Sequence, residues 1–262
     1  MCRWLAYRGR PLLMEALVTE PDHSLIAQSL RADECKAVTN GDGFGVGWYG
    51  ERDEPGLFRD VRPAWSDENL KSICAHVRSR LFFAHVRATT GSAVSRVNCH
   101  PFVHGRHMFM HNGQIGGFDR VKRRVEMLIP DEFYGARLGS TDSEAIFLIA
   151  MANGLAVEPI PALAKTLGQI ETIMREAGVT EALRLTAAVT DGETLTAFRW
   201  ASDQKAPSLY YQEANGDLLV VSEPLDSDRE GWKEIAQGCA MEARPGRKVE
   251  RRCLAEAMRA AA

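Results

Sequence analysis

Short apolar runs predict most of the secondary structure of this chain. Six of them have the length of strands and lie at residues 81–86, 107–111, 185–189, 194–198, 209–211 and 218–221. Asp191-Gly192 stands between two of these runs, and this dipeptide is a strong signal for a tight turn between paired strands. The sequence therefore predicts several strands, at least two of them joined as a hairpin.

Helical patterns occupy the middle of the chain. Thr141 is a good N-cap, because Asp142 and Glu144 follow it as acidic residues of a first turn. A second helix is predicted by apolar residues spaced three and four apart at Leu163, Leu167, Ile170 and Met174. A weaker pattern predicts a helix over about 67–77. Helices segregated from mostly antiparallel strands indicate a layered α+β fold.

Glycine is concentrated at residues 40–50, where it alternates with Phe, Val and Trp. A period of two is typical of a strand, here with one face stripped of side chains. The run does not match the G-x-G-x-x-G pattern of a dinucleotide site, and no βαβ unit surrounds it.

Composition narrows the function classes. The chain has 262 residues and a net charge of −3, which favours one domain over residues 1–262 and no nucleic-acid partner. No apolar stretch is long enough to span a membrane, and the start lacks a secretory signal, so we expect a cytoplasmic protein. The six cysteines contain no C-x-x-C pair, and the histidines at 100, 104, 107 and 111 fit no closed zinc pattern. We expect neither a metal nor a cofactor.

Cys2 is chemically special by its position. If Met1 is removed, this residue carries both a thiol and an α-amine, and an α-amine titrates near ~7.7–8.0. A nucleophile with its own base attached needs no histidine partner. Position alone also fits an incidental second residue, so other residues must decide.

Three further positions are candidates for a site. Asn112-Gly113 follows an apolar strand and could cradle an oxyanion, although it is also a common turn dipeptide. Arg87 ends another strand and could grip a carboxylate, or simply form a surface ion pair. Asp142 could hold an ammonium group, or only complement the helix dipole.

Together these segments resemble the class II glutamine amidotransferases, whose glutaminase domain is an N-terminal-nucleophile hydrolase. The chain looks closest to the free-standing members, the group that includes the γ-glutamyl amidase of ergothioneine synthesis. The resemblance runs over nearly the whole chain and rests on residues 1–7, 40–49, 84–91, 98–102, 111–113, 140–144 and 221–225.

The resemblance implies a four-layer αββα sandwich with two antiparallel sheets. It implies that Cys2 is the nucleophile and its α-amine the base, and that Asn112 and the Gly113 amide form the oxyanion hole. Arg87 would then bind the substrate α-carboxylate and Asp142 the α-ammonium. After Arg87 the sequence reads Ala-Thr-Thr-Gly, without the tryptophan usual in two-domain members and one residue shorter, which leaves the contacts of Thr89 and Thr90 open.

The expected activity is hydrolysis of glutamine or a γ-glutamyl compound through a thioester, with release of glutamate and ammonia or an amine. Two alternatives remain at this point. One is a non-catalytic module that senses amino acids, and the other is a glutaminase subunit that delivers ammonia to a separate synthase. The group attached to the γ-carbonyl, and whether the chain forms a homo-oligomer, are not readable from the sequence.

Overall fold

A computed structural model describes residues 2–34, 39–89, 91–214, 216–226, 229 and 231–261. The strands are β1 (Arg3–Leu13), β2 (Phe44–Trp48), β3 (Gly56–Asp60), β4 (Arg78–Val86), β5 (Phe102–His104), β6 (His107–Gln114), β7 (Arg184–Thr190), β8 (Leu195–Ala201), β9 (Tyr210–Ala214), β10 (Asp217–Val221), β11 (Lys233–Glu234), β12 (Cys239–Ala243) and β13 (Glu250–Cys253). The α-helices are α1 (Glu15–Val18), α2 (Leu25–Leu30), α3 (Glu68–His76), α4 (Phe118–Glu126), α5 (Asp131–Tyr134), α6 (Asp142–Ala152), α7 (Pro159–Glu176) and α8 (Leu254–Ala261).

The strands form two sheets, and every recorded pairing within them is antiparallel. The first sheet has the order β11-β9-β10-β1-β4-β2-β3, and the second has the order β13-β12-β8-β7-β6-β5. β1 therefore lies between β10 and β4, and β6 lies between β7 and β5. β1 and β6 are therefore interior strands of their sheets, and one end of each reaches the functional site.

Three hydrophobic clusters show how the layers stack. One joins both sheets through Trp4, Phe83, Met110 and Ala197. A second packs α1, α2 and α3 on the outer face of the first sheet, and a third packs α4, α6, α7 and α8 on the second sheet. The result is the four-layer αββα sandwich that the family resemblance implies.

The helices predicted from local signals are present. Thr141 is the N-cap of α6, and its hydroxyl accepts a hydrogen bond of 3.2 Å from the Glu144 N–H. The three- and four-residue spacing falls inside α7, and the weaker pattern corresponds to α3, where Asp67 accepts from the Leu70 N–H at 2.7 Å. The predicted turn at Asp191-Gly192 joins β7 to β8 as a hairpin.

The glycine-rich run forms β2, and the bare face has a packing reason. A side-chain carbon at Gly45 would lie 2.0 Å from the His100 carbonyl oxygen, and one at Gly47 would lie 2.5 Å from the Met108 sulfur. The chain at 100–101 thus lies directly on β2. Removing the side chains from one face of the strand lets the second sheet approach it.

Some elements were not predicted from the sequence. They are the short helices α1, α2 and α5, helix α4, the edge strands β3 and β5, and β11, β12, β13 and α8 beyond residue 230. The sequence expectations for Met1, Cys35 and Thr90 lie outside the described residues. No helix in the described part of the chain combines the length and the apolar character needed to cross a membrane.

A buried ion pair fixes the start of β1. Arg3 Nε lies 2.9 Å from Glu223 Oε2, and the two side chains are 0% and 1% exposed. The carboxylate also contacts His23 Nε2 at 2.6 Å and accepts backbone hydrogen bonds from Asp33 and Glu34. His23, Asp33 and Glu223 lie close enough together to resemble a metal site, but the Glu223 oxygens are already occupied by these donors.

We predict that Glu223→Gln lowers the free energy of unfolding by about 3–5 kcal/mol, because it leaves the Arg3 charge buried without a counter-charge. Urea denaturation at neutral pH would measure this change. Glu193→Gln is the matched control, since its ion pair with Arg80 is about half exposed and should contribute little. Equal losses in the two variants would contradict the role assigned to the buried pair.

Candidate active site

The five residues predicted from the sequence meet at one cavity. Its volume is about 630 Å³, and Cys2, Arg87, Asn112, Gly113 and Asp142 all line it. They come from the start of β1, the residue after β4, the end of β6 and the first turn of α6. Both sheets and a helix of an outer layer therefore contribute to a single site.

Cys2 lies directly before the central strand β1. Its backbone N–H donates a 3.0 Å hydrogen bond to Asn112 Oδ1, and its sulfur lies 3.6 Å from the Ala88 carbonyl oxygen. The pairing of Arg3 with Val86 holds this end of β1 against the end of β4. The thiol is thus held beside the Asn112 amide.

Asn112 offers an unused donor to the cavity. Its side chain is 1% exposed, and Oδ1 already accepts from the Cys2 N–H. Nδ2 has no hydrogen-bond partner among the described residues. Because a buried polar group without a partner costs free energy, this amide is suited to donate to a ligand oxygen.

The position of Gly113 excludes any side chain. A carbon added there would lie 1.9 Å from the Arg184 carbonyl oxygen and 2.5 Å from His111 Nε2. Gly113 pairs with Leu185 in the β6–β7 ladder, so the close contact follows from the strand register. Because only glycine fits at this position, β6 can continue past Asn112 along the cavity wall.

Arg87 is a buried cation held by neutral oxygens. Its side chain is 3% exposed. The guanidinium donates to the carbonyls of Asp42 and Ala93 at 3.2 Å, to Ser92 Oγ at 2.7 Å and to Thr89 Oγ1 at 3.3 Å. No carboxylate of a described residue forms an ion pair with it. A buried charge normally has a counter-charge, so the cavity is suited to receive an anion here.

The segment after Arg87 has a well-defined arrangement of its own. The Thr89 hydroxyl donates to the Ser92 carbonyl at 2.7 Å, and the Thr89 N–H donates to Asp42 Oδ2 at 2.8 Å. These contacts answer the question that the sequence left open for Thr89. They brace the loop around the guanidinium without a tryptophan.

Asp142 provides the opposite charge. Oδ2 accepts from the Ile115 N–H and Oδ1 from the Ser143 N–H, both at 2.8 Å. No Lys, Arg or His side chain in the described residues forms an ion pair with it. Arg87 and Asp142 therefore place a buried cation and a half-buried anion on the cavity wall, neither with a charged partner among the described residues.

Three buried histidines, His85, His100 and His111, lie around the site. The His85 and His100 rings stack at 4.2 Å, and burial lowers the pKa of His85 to about 3 and that of His100 well below its usual value. His111 lies 2.8 Å from Ser143 Oγ, and burial lowers its pKa too. The hydrogen bonds recorded for His111 go to Ser143 and Arg184.

Several residues that line the cavity were not predicted as site residues. Arg184 faces Gln114 across the β6–β7 ladder, and Lys205, Ala206 and Pro207 belong to the connection from β8 to β9. No local sequence pattern identifies these residues, because strand pairing between distant parts of the chain brings them to the cavity.

Comparisons with known proteins point to one family. The family model for class II glutamine amidotransferases matches residues 12–213, a span that includes Arg87, Asn112 and Asp142 but begins after Cys2. A probable glutamine amidotransferase of Saccharomyces cerevisiae, DUG3, is 34% identical over 90% of this chain and 79% of its own length.

Two further proteins are similar to this chain. The γ-glutamyl-hercynylcysteine sulfoxide hydrolase of Mycolicibacterium smegmatis is 28% identical over 90% of this chain and 92% of its own length. The solved structure of a glutamine aminotransferase class-II domain protein from Silicibacter pomeroyi is 41% identical, covers 97% of this chain and 99% of that chain, and superposes with a TM-score of 0.76.

The chain belongs to the class II glutamine amidotransferases. It is an amidohydrolase with the α+β sandwich of two antiparallel sheets that these relatives share.

The buried histidines generate a prediction about pH. Unfolded histidines take up protons below about pH 6.5, whereas folded His85, with its pKa of about 3, stays neutral. The free energy of unfolding should therefore fall between pH 7 and pH 5, by up to about 1.4 kcal/mol per pH unit for each such histidine. Urea denaturation at several pH values measures the slope.

Two variants separate this effect from general acid destabilisation. His85→Phe keeps a ring against His100 and should make the slope shallower. His76→Asn, at an exposed position, should leave it unchanged. Identical slopes in all three proteins would show that the buried histidine is not responsible.

Proposed function

We propose that this protein hydrolyses the γ-amide of glutamine or of a γ-glutamyl compound through a thioester on Cys2. One observation carries the proposal: a thiol, an unused buried amide donor, a cation and an anion all face the same cavity. The mycobacterial relative is named as a hydrolase of a γ-glutamyl compound, which supports this substrate class.

The chemistry begins with removal of Met1, which leaves Cys2 with a free α-amine. That amine, with a pKa near ~7.7–8.0, takes the thiol proton, directly or through a water. The sulfur attacks the γ-carbonyl carbon, and the C–N bond breaks as the leaving amine takes up the proton. Water then attacks the thioester, which releases glutamate and restores the thiol.

The negative oxygen formed in each addition step would be stabilised by Asn112 Nδ2 and the Gly113 N–H. Asn112 Oδ1 meanwhile contacts the Cys2 nitrogen at 3.0 Å, so one side chain orients the base and stabilises the oxyanion. Its two functions are compatible because they use different atoms.

Recognition of the glutamyl head would use the two charges. Arg87 would bind the α-carboxylate, and its contacts with Thr89 and Ser92 would hold the guanidinium in position. Asp142 would bind the α-ammonium. We also propose that residues 1–262 act as one glutamine amidotransferase domain, since both sheets are needed to assemble the cavity.

Cys2→Ala is expected to abolish glutamate release from glutamine and γ-glutamyl amides, by at least about a thousandfold, because it removes the nucleophile. Cys253→Ala is the matched control, since that cysteine is exposed and lies on the edge strand β13. Intact-mass spectrometry would test whether Met1 is absent and whether a glutamyl adduct forms on the wild-type protein alone. Equal turnover by Cys2→Ala and wild type would refute the proposed function.

Asn112→Ala should lower kcat by about 10²–10³, because an oxyanion donor is lost, while KM changes less. Steady-state kinetics with glutamine would measure both constants. Asn153→Ala serves as the control, because this asparagine instead bonds to Thr166 and Gln169. A large rise in KM with unchanged kcat would assign Asn112 to substrate binding instead.

A further inference from the structure

The cavity lies between two connections that cross from one sheet to the other. The first runs from β4 to β5 over residues 87–101, and the second runs from β8 to β9 over residues 202–209. β1 lies between β4 and β10, and β6 lies between β5 and β7. Cys2 and Asn112, at the ends of these central strands, are therefore flanked by one connection on each side.

The charges proposed to bind the glutamyl head belong to the side of the first connection. Arg87 begins that connection. Asp142 lies beside it, because the neighbouring Ser140 N–H donates to Asn98 Oδ1 at 2.9 Å. A glutamyl group bound to both charges with its γ-carbonyl at Cys2 would extend its leaving group away from the first connection, and the lining residues Lys205, Ala206 and Pro207 belong to the second.

The second connection is anchored to both sheets. The Ser208 hydroxyl donates to the Ser222 carbonyl at 3.0 Å, and Ser222 in turn bonds to Trp4 of β1. The Ala206 N–H donates to Gln237 Oε1 at 3.2 Å. This wall of the cavity is thus a built part of the fold, with Lys205, Ala206 and Pro207 facing the cavity.

The second wall carries an excess of positive charge. Arg184 Nη2 lies 2.6 Å from Asp203 Oδ2, so these two charges balance. Asp203 also accepts from the Lys205 backbone N–H at 3.1 Å. The Lys205 ammonium itself forms no hydrogen bond or ion pair with a described residue. Gln204, directly before it, has φ of 60°, a conformation that non-glycine residues adopt at a cost and that is often found where a ligand is held.

We propose that Lys205 binds a carboxylate on the leaving amine. The preferred substrates are then γ-glutamyl amino acids or peptides, in which the amine released from the γ-carbonyl carries a carboxylate. This inference rests on the proposed function and specifies its substrate class.

The test compares γ-glutamylalanine with γ-glutamylisopropylamide, which has nearly the same shape but lacks the carboxylate. We expect wild type to favour γ-glutamylalanine about tenfold in kcat/KM, the effect of a hydrogen bond between charged groups in a partly exposed site. Lys205→Gln should remove most of this preference, and Lys205→Glu should invert it. The preference should also shrink at high salt, because the lysine is exposed.

Lys165→Gln is the matched control, since Lys165 is an exposed residue of α7 that does not line the cavity. It should keep the wild-type preference. Equal kcat/KM of wild type for the two substrates, or an unchanged preference in Lys205→Gln, would overturn this inference. Turnover that depends on Cys2 would in that case leave the proposed function intact, whereas absence of turnover on every γ-glutamyl substrate would defeat both.

Discussion

The position of Cys2 depends on where strand β1 begins. The buried ion pair between Arg3 and Glu223 holds that point of the chain in place. Arg3 follows Cys2 directly, and its guanidinium meets the Glu223 carboxylate where neither side chain is reached by solvent. Moving two charges out of water is costly, so the pair is stable only if its geometry is closely satisfied. The Glu223 carboxylate meets that condition through His23 and the backbone N–H groups of Asp33 and Glu34, whereas Arg3 Nε and Nη2 form no hydrogen bond of good geometry with a described residue. Cys2, the residue before Arg3, therefore cannot shift far without exposing or separating this ion pair.

The two sheets bring complementary parts of the site together. The first sheet carries Cys2 and Arg87 on neighbouring strands, and the second carries Asn112 and Gly113 on β6. The hydrophobic cluster between the sheets therefore sets the distance between the thiol and the amide donor. Close approach depends on β2, where glycines allow the chain at His100 to lie directly on the strand. The packing between the two sheets therefore affects the geometry of the cavity.

Local signals in the sequence were sufficient for several elements, whereas each candidate site residue kept an ordinary structural alternative. The N-cap at Thr141 predicted α6 because capping is decided within one turn, and the glycine period predicted β2 for the same kind of reason. The family resemblance then selected Cys2, Arg87 and Asn112 from many plausible polar residues. The short motifs around Arg3 and Glu223 were recognised too, but not their pairing. These residues are far apart in the chain, and no local property of either one predicts the other.

No local sequence signal shows that two charges of the cavity, Arg87 and Asp142, lack charged partners in the fold. Proteins usually neutralise buried charge, yet no described side chain forms an ion pair with Arg87 or Asp142. A purely structural role would favour a counter-charge for Arg87, because a buried charge without one costs stability, whereas Asp142 is half-buried and accepts two backbone N–H bonds. A zwitterionic ligand supplies both partners at once, and the free energy regained on binding favours the correctly oriented head. In the proposed function, specificity for the glutamyl group would follow from these two charges, and the proposed role of Lys205 would apply the same reasoning to the leaving amine.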